Sequence, residues 1–211
     1  IHFPSFDPEI NNLIRLKNPL TPLANRVRES DYSIGLNKEF IKRAILDKPF
    51  WLFSYKTNPE LYEKFYHADS QKFDSLLEQY SVTDPDKVKE VSASGLLSDV
   101  MTNRAETARL YVHLADTINK QTPYKETIYS SNLCQEIALP TKPYLTHLDL
   151  YNDEPEGVVA FCNLAGLNIP NIKDDEEYER ACYNALLMIE HGIENNNLPF
   201  PALNANLKDY R

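Results

Sequence analysis

The stretch SNLCQEIALPTKP, which begins at residue 130, places an amide, a thiol and a carboxylate at alternate positions. In an extended strand, alternate side chains point to the same face, so Asn132, Cys134 and Glu136 would share one side. An amide can hold a substrate by hydrogen bonds, a thiol can react, and a carboxylate can exchange protons. The pattern predicts either a pocket wall that carries chemistry or the solvated polar face of an edge strand.

The other two cysteines, Cys162 in VVAFCNLAG and Cys182, fit the ordinary role of a small buried side chain. Cys182 lies on the apolar stripe of a predicted helix, and we expect it to pack in the core. The 3 cysteines include no CxxC spacing, which argues against both a disulfide scaffold and a zinc site. HxxxH spacing is also missing, and we expect no metal ligands in this sequence.

A cysteine hydrolase is one alternative, because a nucleophilic thiol of that class needs a histidine base. The candidate bases are His2, His67, His113, His147 and His191. His113 lies on a predicted strand and could approach Cys134 in space. A lone histidine in that position is, however, more often simply packed or exposed.

The first part of the sequence predicts a helix, a strand and a second helix. Asp7 and Pro8 fit the start of a short helix. The segment DYSIGLN alternates as a half-buried strand does, and Asn37 then fits the cap of an amphipathic helix. The apolar stripe of this helix consists of Phe40, Ile41, Ala44 and Ile45.

Helix and strand continue to alternate in the rest of the sequence. FWLFSY predicts a buried strand, and Asn58 with Pro59 opens a helix that re-forms around Phe73. Asp84 and Pro85 give the same start signal for a helix that carries Val88, Val91, Leu97, Val100 and Met101. ARLYVHLAD predicts a strand with its leucines and Val112 on one face against Tyr111 and His113. GVVAFCNLAGL predicts a further strand, and DDEEYERACYNALLMIEHGIE predicts a helix with acids at its start.

Strands separated by helices predict an α/β fold with a largely parallel sheet, either open or closed into a barrel. The sequence contains no internal repeat and no flexible linker, so we expect a single domain over residues 1–211. The 5 glycines form no Gly-rich turn between a strand and a helix, which argues against dinucleotide-binding and P-loop folds.

Composition narrows the function classes further. The hydrophobic content of 42% is that of a globular core, and the net charge of -9 argues against a surface for nucleic-acid phosphates or anionic lipid. The apolar stretches are too short to cross a bilayer, and IHFPSFDPEI lacks the features of a signal peptide. We therefore expect a cytoplasmic protein with neither a nucleic-acid partner nor a membrane partner.

The segment SNLCQEIALPTKP resembles the finger loop of the large, catalytic subunit of ribonucleotide reductase, closest to the aerobic class I enzymes. The resemblance continues in the same order through LKN, NRVRESDY, LFS, NRAETARLYV and GVVAFCNLAGLN. Because it extends over nearly all 211 residues, it is specific. It implies that the chain is a central part of a ten-stranded α/β barrel, with a finger loop at about residues 130–140 in the barrel centre.

The resemblance also implies roles for four residues. Cys134 would carry the transient thiyl radical that removes the ribose 3′ hydrogen, and Asn132 would hold the ribose hydroxyls. Glu136 would take the 3′-hydroxyl proton, a task that suits a buried carboxylate. Cys162 would be one half of the thiol pair that is oxidised to a disulfide in each turnover, and its partner in the family lies upstream of the matched region.

The implied partners follow from the same resemblance. The substrate would be a ribonucleoside diphosphate, and no cofactor would be bound in this segment. A small radical-generating subunit with its own metal cofactor would supply the radical, and a thioredoxin- or glutaredoxin-type reductant would restore the thiol pair. The remaining segments of the large subunit would also be partners, and the isolated chain would be inactive. The alternative from a different class is a non-catalytic assembly or regulatory fragment that retains the barrel.

Overall fold

The computed structural model describes residues 1–27, 29–84 and 89–210. The chain forms two compact units, Ile1–Ala138 and Leu139–Arg211. The first unit combines helices with two small sheets, whereas the second is built from helices and extended loops. An α/β fold class is therefore observed, and the single domain stays a prediction.

A three-stranded parallel sheet organises the first unit. Its order is β1 (His2–Pro4), β2 (Tyr32–Leu36) and β5 (Leu110–Leu114). The register places His2, Ser33 and Tyr111 in one row, so their side chains share a face of the sheet. This face carries polar groups at the centre of the unit, and it is the face from which the candidate site is built.

Two further strands, β3 (Pro49–Leu52) and β4 (Lys89–Ser92), form an antiparallel pair. The predicted strand FWLFSY corresponds to β3, but its partner runs in the opposite direction to the parallel neighbours that we expected. In the described part of the chain, the two sheets do not close into a barrel.

The helices of the first unit pack around these sheets and include every helix predicted before residue 84. Their bounds are α1 (Ile10–Leu13), a 3-10 turn (Leu23–Asn25), α2 (Lys38–Ile45), α3 (Pro59–Phe65), α4 (Gln71–Thr83), α5 (Ala93–Thr107) and α6 (Ala115–Gln121). Helix α1 is short, as predicted, but it begins after Glu9 because the Asp7 carboxylate accepts a hydrogen bond from the Glu9 backbone. Helix α6 was not predicted.

Helix α2 illustrates how a local sequence signal becomes structure. Asn37 accepts a hydrogen bond from the backbone N–H of Phe40 at 2.9 Å and so satisfies a donor that the first turn leaves open. Phe40 and Ala44 are buried, but Ile45 is 76% exposed. The apolar stripe therefore ends one residue earlier than predicted, because the chain leaves the core where the helix ends.

A cluster of phenylalanine rings fills the core of the first unit. Phe65 lies 5.3 Å from Phe6 and 5.2 Å from Phe73, measured between ring centroids, and all three rings are fully buried. Phe40 and Phe50 extend the cluster towards the antiparallel strands. Aromatic contacts of this kind add to the hydrophobic stabilisation, and they hold α3 and α4 against the sheet.

The helix predicted from Asp84 onward begins later than expected. Asp84 ends α4, Val91 lies in β4, and α5 starts at Ala93, where the Ser92 hydroxyl accepts a hydrogen bond from Gly95. The two predicted positions Pro85 and Val88 lie outside the described residues.

Strand β5 was predicted, but the burial of its two faces differs from the expectation. His113 is 2% exposed, whereas Leu114 is 39% exposed. The leucines were expected to face the core and His113 to face away from it. Because segment 128–138 covers the polar face of the sheet, that face is buried as well.

In the second unit, the strand predicted from GVVAFCNLAGL is not formed. Val158 makes a single bridge with Lys142, and the next backbone donors are used elsewhere. The Val159 N–H donates to the side-chain oxygen of Asn206, and the Phe161 N–H donates to the Tyr210 carbonyl. Because α8 captures these donors, no ladder can propagate along the segment.

The helices of the second unit include the predicted acidic helix. Their bounds are two 3-10 turns (His147–Tyr151 and Ile169–Asn171), α7 (Asp175–Glu194) and α8 (Pro201–Asp209). Asp174 caps α7 by accepting from the Glu177 N–H, and three acids occupy its first turn, where the helix dipole favours them. Helix α8 was not predicted.

The apolar side chains of α7 are largely exposed, which contradicts the predicted core packing. Leu186 is 67% and Met188 is 75% exposed, and Tyr178 is also exposed. Cys182, expected in the core, is half-buried. The helix is therefore amphipathic without a partner for its apolar side among residues 139–210. Throughout the described residues, no helix is long and apolar enough to cross a membrane.

Candidate functional site

The segment with the alternating amide, thiol and carboxylate forms a closed turn. The Gln135 N–H donates to the Asn132 carbonyl at 3.2 Å, which makes residues 132–135 a β-turn with Cys134 near its tip. The ends are joined by a backbone bond from Asn132 to the Ile137 carbonyl and by the Ile137 N–H, which donates to the Asn132 side chain at 3.0 Å. The hydroxyl of Ser131 adds a bond of 2.6 Å to the same carbonyl.

This turn requires an unusual backbone conformation at one residue. Gln135 has a φ of 66°, in the left-handed region that few side chains adopt. A turn followed by one left-handed residue reverses the chain in a short loop. Strain at a residue without glycine's freedom is common where a loop must present a side chain in a fixed place.

The predicted strand is therefore wrong for residues 130–138. The side chain of Asn132 competes with a strand ladder by binding a backbone N–H five residues on, and Gln135 reverses the chain. Asn132, Cys134 and Glu136 do not share the face of a strand: Asn132 and Cys134 belong to the turn, and Glu136 follows it. Cys134 and Glu136 are exposed and Asn132 is half-buried, so the expected burial of the Glu136 carboxylate is not observed.

The loop is fastened to the sheet through His2. The Nδ1 atom of His2 lies 2.5 Å from the Ser33 hydroxyl in β2, and Nε2 lies 3.2 Å from both the nitrogen and the carbonyl oxygen of Ser131. The side-chain nitrogen Nε2 of Gln135 lies 3.5 Å from Nδ1 of His2. One imidazole thus links a strand at the centre of the unit to both sides of the turn.

A second histidine packs beside the first. The rings of His2 and His113 have centroids 5.6 Å apart. Burial, together with the neighbouring His2, lowers the pKa of His113 to about 4, and burial also lowers the pKa of His2. Both rings are therefore neutral at neutral pH. The Nε2 atom of His113 is buried and has no hydrogen-bond partner among the described residues.

A small pocket opens between the turn and the sheet. Its volume is about 220 Å³, and it is lined by the strand residues His2, Tyr32 and Tyr111 and by the loop residues Ser131, Asn132, Leu133 and Gln135. Asn132 is the proposed substrate-holding residue that contributes to its wall. The pocket is smaller than a typical ligand site, so it can enclose only part of a ligand.

A larger pocket of about 690 Å³ lies apart from the turn, between residues 12–25 and α5. The two buried side-chain amides in its wall bind each other: the Asn18 side chain donates a hydrogen bond to the Asn103 side chain at 2.7 Å. These bonds join a loop to a helix, which is a structural role.

The remaining cysteines lie in the second unit. Cys162 is exposed, and the preceding residue, Phe161, is held by its backbone bond to Tyr210. The neighbouring Cys182 thiol raises the pKa of the Tyr178 phenol. Among the described residues, no group of three His, Cys, Asp or Glu side chains could hold a metal ion.

Comparison with known families accounts for the whole chain. Residues 1–211 match the family model described as "Ribonucleotide reductase, barrel domain". The chain belongs to the ribonucleotide reductase barrel-domain family. The suspected resemblance is therefore confirmed, and it assigns the α/β elements described above to that barrel domain.

Individual relatives give the same family. The chain is 33% identical to a ribonucleoside-diphosphate reductase subunit alpha of Buchnera aphidicola subsp. Schizaphis graminum over 94% of its own length and 26% of that protein. It is 38% identical to the subunit alpha of Haemophilus influenzae over 82% of its length and 23% of that protein. It is 37% identical to the ribonucleoside-diphosphate reductase 1 subunit alpha of Escherichia coli over 68% of its length and 19% of that protein. The chain thus spans about a quarter of the length of these relatives.

Membership of the reductase family weighs against the cysteine hydrolase. No hydrogen bond joins His113 to Cys134 among the described residues, and His113 is engaged in packing beneath the loop. A buried imidazole with a pKa near 4 would also be a weak base for a thiol.

Sequence reasoning missed the residues that hold the turn in place. His2 was considered only as a general base, and Ser33 was not singled out. A polar residue inside an otherwise apolar strand, as Ser33 is in YSIGL, was the signal that could have been used. A buried polar group needs a hydrogen-bond partner, and here that partner is His2.

Proposed function

We propose that the chain is the catalytic-barrel portion of a ribonucleoside-diphosphate reductase large subunit. The observation that carries the proposal is a match of the full chain to the barrel domain, together with a rigid turn that presents Cys134. The reaction converts a ribonucleotide to a deoxyribonucleotide and releases water. The chain covers only 26% of its Buchnera relative, so activity requires the remaining segments of the subunit.

In this proposal, the groups on the turn divide the chemistry among them. Cys134, as a thiyl radical, takes the ribose 3′ hydrogen atom, and the exposed position at the tip of the turn lets it reach a substrate. Glu136 accepts the 3′-hydroxyl proton, which eases the loss of the 2′ oxygen as water. The Asn132 carbonyl group is bound to Ile137, and its NH₂ group is the part suited to holding a ribose hydroxyl.

The two electrons for each reduction come from a thiol pair that ends as a disulfide. Cys162 is one member of the pair. The other cysteine lies in a different segment of the large subunit, upstream of the region that this chain matches. A thioredoxin- or glutaredoxin-type protein then reduces the disulfide by thiol exchange. The exposure of Cys162 supports this assignment, because exchange requires access to the sulfur.

Assembly completes both the radical source and the barrel. A small subunit with a metal cofactor generates the radical, and this chain itself binds no cofactor. The other segments of the large subunit add strands to complete a ten-stranded barrel around the finger loop. The exposed apolar side of α7 supports this proposal, since large exposed patches usually mark a missing partner surface.

The test is deoxyribonucleotide formation by the assembled large subunit that contains this chain, with its radical-generating partner and reductant. Cys134→Ser should abolish product, and Glu136→Gln should lower turnover by about 10² to 10⁴, the usual contribution of a positioned acid or base. Cys182→Ser removes a thiol outside the proposed chemistry and should leave turnover unchanged. Product formed by the Cys134→Ser subunit at the normal rate would refute the assignment.

A further inference from the structure

The position of the catalytic turn depends on a contact that its own sequence does not contain. We propose that His2 is a positioning residue: clamped by Ser33, its imidazole fixes the backbone at Ser131 and thereby the place of Cys134. This inference rests on the proposed function, which it deepens by assigning the residue that sets the geometry of the turn.

The imidazole can complete the bridge in either neutral form. With the proton on Nε2, it donates to the Ser131 carbonyl and accepts from the Ser33 hydroxyl. With the proton on Nδ1, it donates to Ser33 and accepts from the Ser131 N–H. Each form uses one donor and one acceptor, so the ring is held at both nitrogens.

The anchor itself is rigid. Ser33 is fully buried in β2, the central strand of the parallel sheet, with neighbours hydrogen-bonded on both sides. His113, which is 2% exposed, stands beside the His2 ring and restricts its movement. Because His113 has an unpartnered Nε2 among the described residues, it contributes a wall to this arrangement and not a hydrogen bond.

Movement at Ser131 must carry over to Cys134. The two residues are three positions apart, and the bonds between Asn132, Gln135 and Ile137 make the intervening turn a closed unit. The side chain of Gln135 also approaches His2, so the turn is restrained at its start and near its end. A misplacement of 1 Å at a reacting group can cost about 10²-fold in rate, which makes such a restraint consequential.

Three variants of the assembled subunit test the role. His2→Phe keeps the ring but removes both nitrogens, Ser33→Ala removes the clamp, and His2→Gln keeps one donor and one acceptor near the place of Nε2. We expect His2→Phe to raise hydrogen exchange of segment 130–138 about tenfold, the effect of losing one hydrogen bond, and to lower kcat by at least as much. Ser33→Ala should likewise raise loop hydrogen exchange and lower kcat. His2→Gln should restore most of the normal exchange rate and most of the normal kcat.

The controls separate positioning from general stability. His67→Phe changes a half-buried histidine of the same unit that, among the described residues, has no contact with the turn, and it should alter neither loop exchange nor kcat. The thermal midpoint of His2→Gln should match that of the unaltered subunit. Loop exchange and kcat that are unchanged in His2→Phe would overturn the inference. It would also be overturned if His2→Gln were as impaired as His2→Phe. Should the unaltered subunit make no deoxyribonucleotide, the proposed function fails, while the exchange comparison still decides whether His2 positions the turn.

Discussion

The side-chain oxygen of Asn132 lies 3.0 Å from the backbone nitrogen of Ile137 and accepts its hydrogen bond. The backbone of Asn132 binds Gln135 and Ile137 as well. One residue therefore both closes the turn around Cys134 and lines the small pocket, and its NH₂ group takes no part in the bond to Ile137. The two roles use different atoms, so they can be separated by substitution.

Asn132→Asp should keep the closed turn but lose the donor proposed for the substrate. Its carboxylate can still accept from Ile137, whereas Asn132→Ala cannot. We expect hydrogen exchange at residues 131–137 to stay normal in Asn132→Asp and to rise about five- to tenfold in Asn132→Ala, as for a lost bond of about 1 kcal/mol. Both variants should have reduced turnover. Equal exchange in the two variants would contradict the role of the side-chain oxygen.

Substitutions of Gln135 should follow the preference for a positive φ. Gln135→Gly adopts a φ of 66° without strain, and we expect the turn to be kept. Gln135→Val places a β-branched side chain in the same backbone conformation and should destabilise the turn by about 1–3 kcal/mol. Nuclear magnetic resonance of the loop amides would compare the variants. A valine variant with an unchanged loop would show that the left-handed conformation is not needed.

Stability should fall below neutral pH because of His113. Its pKa is about 4 in the fold, against 6.5 for an unperturbed histidine. The unfolded chain therefore takes up more protons between these values, so the free energy of unfolding decreases as pH falls from about 6.5 to 4. His113 alone contributes up to about 3 kcal/mol over this window. Urea unfolding at pH 7, 6 and 5 measures the trend.

His113→Gln should flatten this pH dependence, since glutamine does not titrate. His147→Gln, at an exposed histidine of the second unit, should leave the profile unchanged. An equally steep profile in His113→Gln would assign the effect to other groups.

The phenylalanine cluster should dominate the stability of the first unit. Phe73→Ala removes a fully buried ring from α4 and should destabilise by about 3–5 kcal/mol. Val82→Ala, at a 78% exposed position of the same helix, should change stability by about 0.5 kcal/mol or less. Thermal or urea unfolding distinguishes them, and similar losses in both would be inconsistent with the packing.

The apolar side of α7 should matter for assembly more than for the stability of this chain. Leu186→Glu changes a side chain that is 67% exposed, so the free energy of unfolding should stay nearly constant. We expect weaker association with the remaining segments of the large subunit, by about tenfold or more for a buried charge without a partner. Glu179→Gln, an exposed acid on the same helix, serves as the control. Association that is unaffected by Leu186→Glu would exclude α7 from the contact.

Elements defined by local signals were predictable from the sequence. Asn37 caps α2 and Pro59 opens α3, and both effects depend on neighbours within a single turn. The acids that begin α7 act over the same short range. Such elements could be placed before any tertiary contact was known.

What could not be predicted depends on distant partners. Segment 157–161 is apolar enough for a strand, but Asn206 and Tyr210 take its backbone donors. His113 faces inward because the loop that follows covers the polar side of the sheet. The alternation around Cys134 favoured a strand, since the positive φ of Gln135 is not marked by a glycine, and a loop was expected there only from the family resemblance.

The bridge from His2 to Ser131 joins positions 129 apart in the chain. Contacts with such large sequence separation form late, because a long loop must first be closed. The contact between His2 and Ser131 therefore requires that β2 and most of the first unit are already in place. The turn that carries Cys134 therefore becomes ordered only together with the first unit as a whole.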